Sequence, residues 1–219
     1  MALRLFLDSA SCSDWDQWLP TGLFHGVTTN PTLLRRAGEA CNLETLRRLV
    51  ERANDYGCQE IHLQTWGGSA TEASERGLAL AALNPRRVLV KVPIDLQGCQ
   101  TAGALIAAGV RVTFTACYEP AQVLVASALG ADYIAPYLGR ICDRQRDGHQ
   151  EVITMQQALT GVGSGVRVLV ASLRSKEDLP RLAAAGLNTF TISAAIAGEL
   201  FANADTIAAA KAFEQDASA

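Results

Sequence analysis

Eight times along this chain a short β-rich run gives way to a helical pattern, and that alternation restricts the fold more than any other feature. The β runs span residues 3–8, 26–29, 60–65, 88–93, 111–116, 133–137, 168–172 and 189–193. Helical periodicity fills intervening stretches, among them 42–56, 69–83, 96–108, 119–129, 152–160 and 175–185. Ser175-Lys176-Glu177-Asp178 has capping-box spacing, and Gly57, Gly109, Gly130 and Gly186 fall where helices should stop.

Strictly alternating β and α elements imply a parallel sheet covered by helices. Eight units favour closure into an α/β fold of the (β/α)8 TIM barrel type, although 219 residues is short of the ~250 usual for it. A doubly wound open sheet is the runner-up, but no GxGxxG turn follows the first run. No linker or low-complexity tract divides residues 1–219, so a single barrel domain is expected. An extra C-terminal helix, about residues 203–216, has no ninth strand to cover. It either caps its own barrel or packs on a neighbouring subunit.

Composition narrows the function classes. A formal charge of −3 and a pI near 5.6 leave no basic surface for nucleic acid or an anionic membrane. No apolar stretch reaches membrane-spanning length, and the N-terminal residues lack a signal-peptide layout. The six cysteines, from Cys12 to Cys142, form no CxxC pair, and the three histidines are scattered. The expectation is a cytoplasmic protein with reduced thiols and no metal site.

Against this background Lys91 stands out. It lies inside the apolar run Val88-Leu89-Val90-Lys91-Val92-Pro93, while Lys176 and Lys211 have polar flanks. Burial disfavours an ammonium and lowers its pKa, which makes a lysine able to attack a carbonyl. The alternative is a lysine that snorkels from a strand end or pairs with a neighbouring strand. In a barrel the chemistry belongs at the C-terminal ends of the strands. Those ends carry Asp8, Thr28-Thr29-Asn30, Gln64, Lys91, Thr115, Tyr137 with Arg140, Ser172 with Arg174, and Thr191 with Ser193. Thr29, Thr191 and Ser193 read as ordinary polar strand ends. Asp8 either holds the ammonium, orients a substrate hydroxyl or makes a plain salt bridge. Arg140 and Arg174 follow adjacent strands and can converge on one phosphate.

Leu5-Phe6-Leu7-Asp8, Gly26-Val27-Thr28-Thr29-Asn30-Pro31, Val90-Lys91-Val92-Pro93, Ala135-Pro136-Tyr137-Leu138-Gly139-Arg140 and Ala171-Ser172-Leu173-Arg174 resemble, in order, the motifs of the small transaldolase family. That family comprises short transaldolases and fructose-6-phosphate aldolases. The resemblance implies a cofactor-free, class I barrel aldolase with Lys91 as Schiff-base nucleophile. It implies Asp8 and Asn30 as contacts to a dihydroxyacetone moiety, Thr28 and Ser172 as further binding residues, and Arg140 with Arg174 as a phosphate clamp. Gln64, Thr115 and Tyr137 would hold a proton-shuttling water. Short transaldolases usually carry Glu and Phe at the positions of Gln64 and Tyr137, so here the chain is similar to the aldolase branch. Gly139-Arg140-Ile141-Cys142-Asp143 looks more like the transaldolase pattern.

The implied reaction is cleavage of fructose 6-phosphate to dihydroxyacetone and glyceraldehyde 3-phosphate. The alternative is transfer of the dihydroxyacetone unit between sugar phosphates in the pentose phosphate pathway. A phosphosugar isomerase or epimerase leaves Lys91 without a task, and a catalytically silent sugar-phosphate-binding barrel stays open on fold alone. The resemblance further implies a homo-oligomer, a pentamer or decamer, exchanging the C-terminal helix. Other features have structural readings: His62 as a satisfied core histidine, Trp15 and Trp18 as packing residues, and Gly161–Gly165 as a connector. Trp66 packs too, close enough to Gln64 to touch the site rim.

Overall fold

The computed structural model describes residues 2–218. Among them, strands β1 (Arg4–Asp8), β2 (Gly26–Thr28), β3 (Glu60–Gln64), β4 (Val88–Pro93), β5 (Val112–Cys117), β6 (Tyr133–Pro136), β7 (Arg167–Val168) and β8 (Thr189–Ile192) form one sheet. Its order is β7-β6-β5-β4-β3-β2-β1-β8, with parallel pairing. Parallel bridges Tyr137–Ala171 and Val170–Phe190 carry the segment after β7 onto both neighbours and bring the sheet's ends together. The expected TIM barrel is therefore the fold.

The helices are α1 (Cys12–Trp18), α2 (Pro31–Arg36), α3 (Leu43–Asp55), α4 (Ala70–Ala81), α5 (Leu96–Ala107), α6 (Gln122–Leu129), α7 (Leu138–Cys142), α8 (Gly148–Gly161), α9 (Asp178–Ala184), α10 (Ala194–Glu199) and α11 (Ala204–Ala217). Side-chain oxygens of Asn42, Ser69 and Asp95 cap α3, α4 and α5 by accepting from backbone N–H groups. Gly57, Gly109, Gly130 and Gly186 follow helix ends with φ of 75°, 78°, 77° and 94°, the left-handed stop their positions suggested.

Three expectations are corrected. Helix α9 begins at Asp178, not Ser175, because Ser175–Asp178 closes a turn of its own. There Asp178 accepts from the N–H groups of Arg174 and Ser175, while Ser175 Oγ accepts from Glu177. Helix α8 starts at Gly148, ahead of its apolar repeat, because Asp147 caps it through Gln150. Strand β7 thins to bridges after Val168, and its run ends at Ser172, whose φ of 59° is left-handed.

The two-residue period of strands sorts side chains into two cores. Val88, Val90 and Val92 face the helices with the larger apolar cluster. Phe6, Leu89, Tyr133, Ala135, Leu169 and Ala171 fill the barrel interior. One inward step above Phe6 and Leu89 come Asp8 and Lys91.

The floor of the barrel holds a polar cluster that sequence reading missed. Glu60 accepts from Tyr133 Oη at 2.5 Å, Arg111 Nη2 at 2.8 Å and Arg4 Nη1 at 3.1 Å. Burial pushes its carboxyl up, but the His25 and His62 rings within 3.7 Å and the bond from Tyr133 outweigh it and hold the group below the usual carboxylate range. His62 is fully buried, bonded to Thr113 Oγ1 at 2.9 Å, and burial pushes its pKa down to about 4 against the pull of Glu60. Breaking one member of such a buried cluster costs about 3–5 kcal/mol, whereas assembling it adds little net stability. It fixes the ring and closes the end opposite the chemistry.

Helix α11 has no buried residue, and its Phe213 is 71% exposed. It does not cap its own barrel. No helix among the described residues is long and apolar enough to cross a membrane.

Candidate active site

A cavity of about 520 Å³ opens at the C-terminal ends of the strands. Its walls include Asp8, Thr28, Asn30, Lys91, Tyr137, Arg140, Ser172 and Arg174. Gln64 and Thr115 are not part of its wall. They stand behind it, Thr115 Oγ1 donating to Gln64 Oε1 at 3.3 Å.

Lys91 is 5% exposed, and its Nζ donates to the carbonyl of Thr29 at 2.8 Å. Burial lowers its pKa, and the Asp8 carboxylate partly opposes that. The rigid β4 strand, paired on both sides, fixes the amine at the cavity wall. The snorkelling alternative does not hold, since the nitrogen stays inside. Nor do Asp8 and Lys91 form a salt bridge. Asp8 instead accepts from Thr28 Oγ1 at 2.6 Å, and that hydroxyl meets Thr191 Oγ1 at 2.6 Å. Thr191 is thus more than a polar strand end: it lines the cavity and holds Thr28 in place. Its inward parity with Thr189 on β8 was the available signal. Ser193 caps α10, as an ordinary strand-end hydroxyl would. Thr29 contributes its carbonyl, and its buried hydroxyl has no hydrogen-bond partner.

This geometry has a pH consequence. Asp8 raises the Lys91 pKa, so Asp8→Asn lowers it further and leaves the amine neutral at more acid pH. The acid limb of carbonyl labelling at Lys91 is expected to move to lower pH in this variant. A limb that moves up, read from the pH dependence of labelling rate, sinks the assignment.

The Tyr137 phenol is raised above its ordinary pKa by burial, with Asp8 adding to the effect and Arg140 and Thr115 opposing it. It is therefore a proton donor at neutral pH. Arg140 lies over its ring, 4.9 Å from the centroid, and donates to Tyr118 Oη at 3.3 Å. A register shift in β5 between Phe114 and Cys117, with Ala116 at φ 54°, turns this strand end toward Tyr137. Ser172, at φ 59°, is the second left-handed residue at the mouth. Backbone strain of this kind costs about 1–3 kcal/mol and gathers at functional sites.

Asn30 caps α2: its Oδ1 accepts from Thr32 and Leu33 N–H, both at 3.0 Å. Its carbonyl oxygen is committed, so its amide N–H2 is the part left for a ligand. Arg174 donates to Asp143 Oδ2 at 2.7 Å. Its stem crosses Gly139, where an added Cβ would stand 2.6 Å from Arg174 Nε and 2.3 Å from the Ser172 carbonyl. Glycine is required there for the arginine to lie across.

The lining also includes Thr32, Leu33, Arg36 and Asp143, to which no role was given from sequence. They sit on α2 and just past α7, where helical segments show no strand-end pattern. Trp66 belongs to a separate cavity of about 80 Å³ and stacks on Arg76, so it does not touch the site. Trp15 and Trp18 are buried packing residues.

Taken together, a buried amine, a protonated phenol, two carboxylates and three arginines face one space. That set can capture a carbonyl, move a proton beside it and bind an anion.

Comparison with known proteins agrees in kind. A family model described as Transaldolase/Fructose-6-phosphate aldolase matches residues 5–219. A probable transaldolase of Anaeromyxobacter dehalogenans is 29% identical over 214 residues, covering 98% of this chain and 96% of that protein. A probable transaldolase of Lactiplantibacillus plantarum is 30% identical over 219 residues, with the same two coverages of 98% and 96%. A solved thiamine phosphate pyrophosphorylase from Pyrococcus furiosus superposes with a TM-score of 0.62 over 87% of this chain and 85% of that one. At 13% identity it shares the fold alone.

Proposed function

The chain belongs to the transaldolase/fructose-6-phosphate aldolase family, and on that premise we propose that it is a class I aldolase cleaving fructose 6-phosphate to dihydroxyacetone and glyceraldehyde 3-phosphate. The observation that carries this reading is the Lys91 amine, dry, lowered in pKa and aimed into the cavity beside Asp8 and Tyr137.

The neutral Lys91 nitrogen adds to the C2 ketone, and loss of water gives an iminium. Asp8, held by Thr28, accepts a hydrogen bond from a substrate hydroxyl. Tyr137, backed by Thr115 and Gln64 through a water, relays the proton lost from the C4 hydroxyl. The C3–C4 bond then breaks, its electrons flow into the iminium, and glyceraldehyde 3-phosphate departs. Protonation of the enamine at C3 and hydrolysis of the iminium return dihydroxyacetone and the free amine. Arg140 and Arg174 bind the phosphate, with Asn30 and Ser172 as donors to the sugar. Borohydride with fructose 6-phosphate tests this directly. The reading requires a stable mass increase mapped to Lys91, and an unlabelled chain overturns it.

A second reading is favoured by the relatives, which are named probable transaldolases. The enamine then attacks an aldose phosphate such as erythrose 4-phosphate instead of taking up a proton. Both readings share every step up to the enamine. Glyceraldehyde 3-phosphate formation with and without erythrose 4-phosphate separates them.

The exposed α11 supports a homo-oligomer, a pentamer or decamer in which that helix packs on a second copy of the chain. Light scattering is expected to give five or ten times the 23.3 kDa chain mass, falling when α11 is removed. A clean monomer in the intact protein ends this proposal.

A further inference from the structure

Arg36 has no part in the mechanism above, yet it lines the cavity together with Arg140 and Arg174. It ends α2, which follows β2, and in the ring order β2 lies opposite β6, the strand that precedes Arg140. The other two arginines are engaged within the protein. Arg140 lies on Tyr137 and bonds to Tyr118, and Arg174 is paired with Asp143. Among the described residues Arg36 makes no side-chain hydrogen bond or ion pair.

A charge count shows what the site lacks without it. Asp143 lines the same cavity and neutralises one guanidinium, so beside Arg140 and Arg174 two positive charges less one negative leave a single net charge, and Asp8 is a further carboxylate on the cavity wall. A phosphate monoester near neutral pH carries about −1.5 to −2. We propose that Arg36 is a third anion-binding arginine, supplying the second uncompensated charge from the wall opposite the other two. The ligand class is a sugar phosphate, and the inference deepens the reading given above and rests on it. Arg36 binds and selects the phosphorylated substrate and takes no part in the chemistry at Lys91.

Arg35 provides the internal control. It shares the last turn of α2 with Arg36, where either cation complements the helix dipole, and it is also exposed but lies outside the cavity. Arg36→Gln is expected to raise KM for fructose 6-phosphate about 10-fold with kcat nearly unchanged, an effect that shrinks at high salt. Arg35→Gln is expected to leave KM alone. Cross-aldol addition of unphosphorylated dihydroxyacetone and glyceraldehyde should be the same in both variants and the parent. Equal shifts in the two variants, or none in Arg36→Gln, overturn the proposal. Inorganic phosphate titrated into parent and Arg36→Gln protein, by calorimetry, keeps the test independent of turnover. If the parent neither cleaves fructose 6-phosphate nor labels at Lys91, the aldolase reading has failed. Weakened phosphate binding in Arg36→Gln would still uphold the anion site, and unchanged binding would remove it.

Discussion

Replacing Lys91 with methionine is expected to lower kcat for fructose 6-phosphate by at least about 10⁴-fold and to abolish borohydride labelling. Every step of the proposed reaction passes through a covalent bond to that nitrogen, so no neighbouring group can take over. Lys176 is half-buried and donates to the Glu199 carbonyl, Lys211 is exposed on α11, and neither lines the cavity. The same change is expected to leave the fold intact or more stable. Methionine matches the stem in length and removes the burden of a buried amine, whose lowered pKa makes the parent gain stability as pH rises through the window between the folded and unfolded lysine values. Thermal unfolding at pH 7 checks this, and a large drop in Tm would mean that lost activity reflects lost structure. Retained cleavage in a folded Lys91→Met protein would remove the Schiff base altogether.

Tyr137→Phe carries the second large effect. Cleavage is expected to fall about 10²–10³-fold, the usual worth of a positioned acid–base group, while labelling at Lys91 persists. Phenylalanine keeps the ring under Arg140, so KM for the phosphorylated substrate should hardly move. Without a nearby donor to protonate C3, the enamine lives longer. A larger share of it is then intercepted by erythrose 4-phosphate, and the ratio of transfer to release rises. Product analysis with both acceptors present reads that ratio. A ratio that falls, or cleavage that survives unchanged, assigns the proton relay elsewhere.

These effects were foreshadowed unevenly by the sequence. Strand parity alone sets Asp8 above Phe6, Gln64 above His62 and Lys91 above Leu89, so the inward facing of those side chains needed no coordinates. The eightfold alternation likewise specified a barrel, because parallel strands with helical crossovers have few other ways to bury both faces. Arg36 escaped notice because it lies on a helix with no apolar repeat to mark its inner face. Asp143 stood in a quoted motif, but its pairing with Arg174 depends on two loops meeting. The Glu60 cluster was hidden for the same reason: its partners come from β1, β3, β5 and β6 and from His25, far apart in the chain.

What the linear order of residues determined, then, was local: which segments are strands, which side chains point inward, and at which end the polar ones emerge. What closure of the ring decided was which of them share a space. Thr28 reached Asp8 and Thr191, Arg174 was laid across Gly139 toward Asp143, and Asp8 was kept off the Lys91 nitrogen. The reason is physical. Period and propensity act over a few neighbouring residues, whereas the charge on a buried amine depends on everything packed around it, and only the folded barrel brings those groups together.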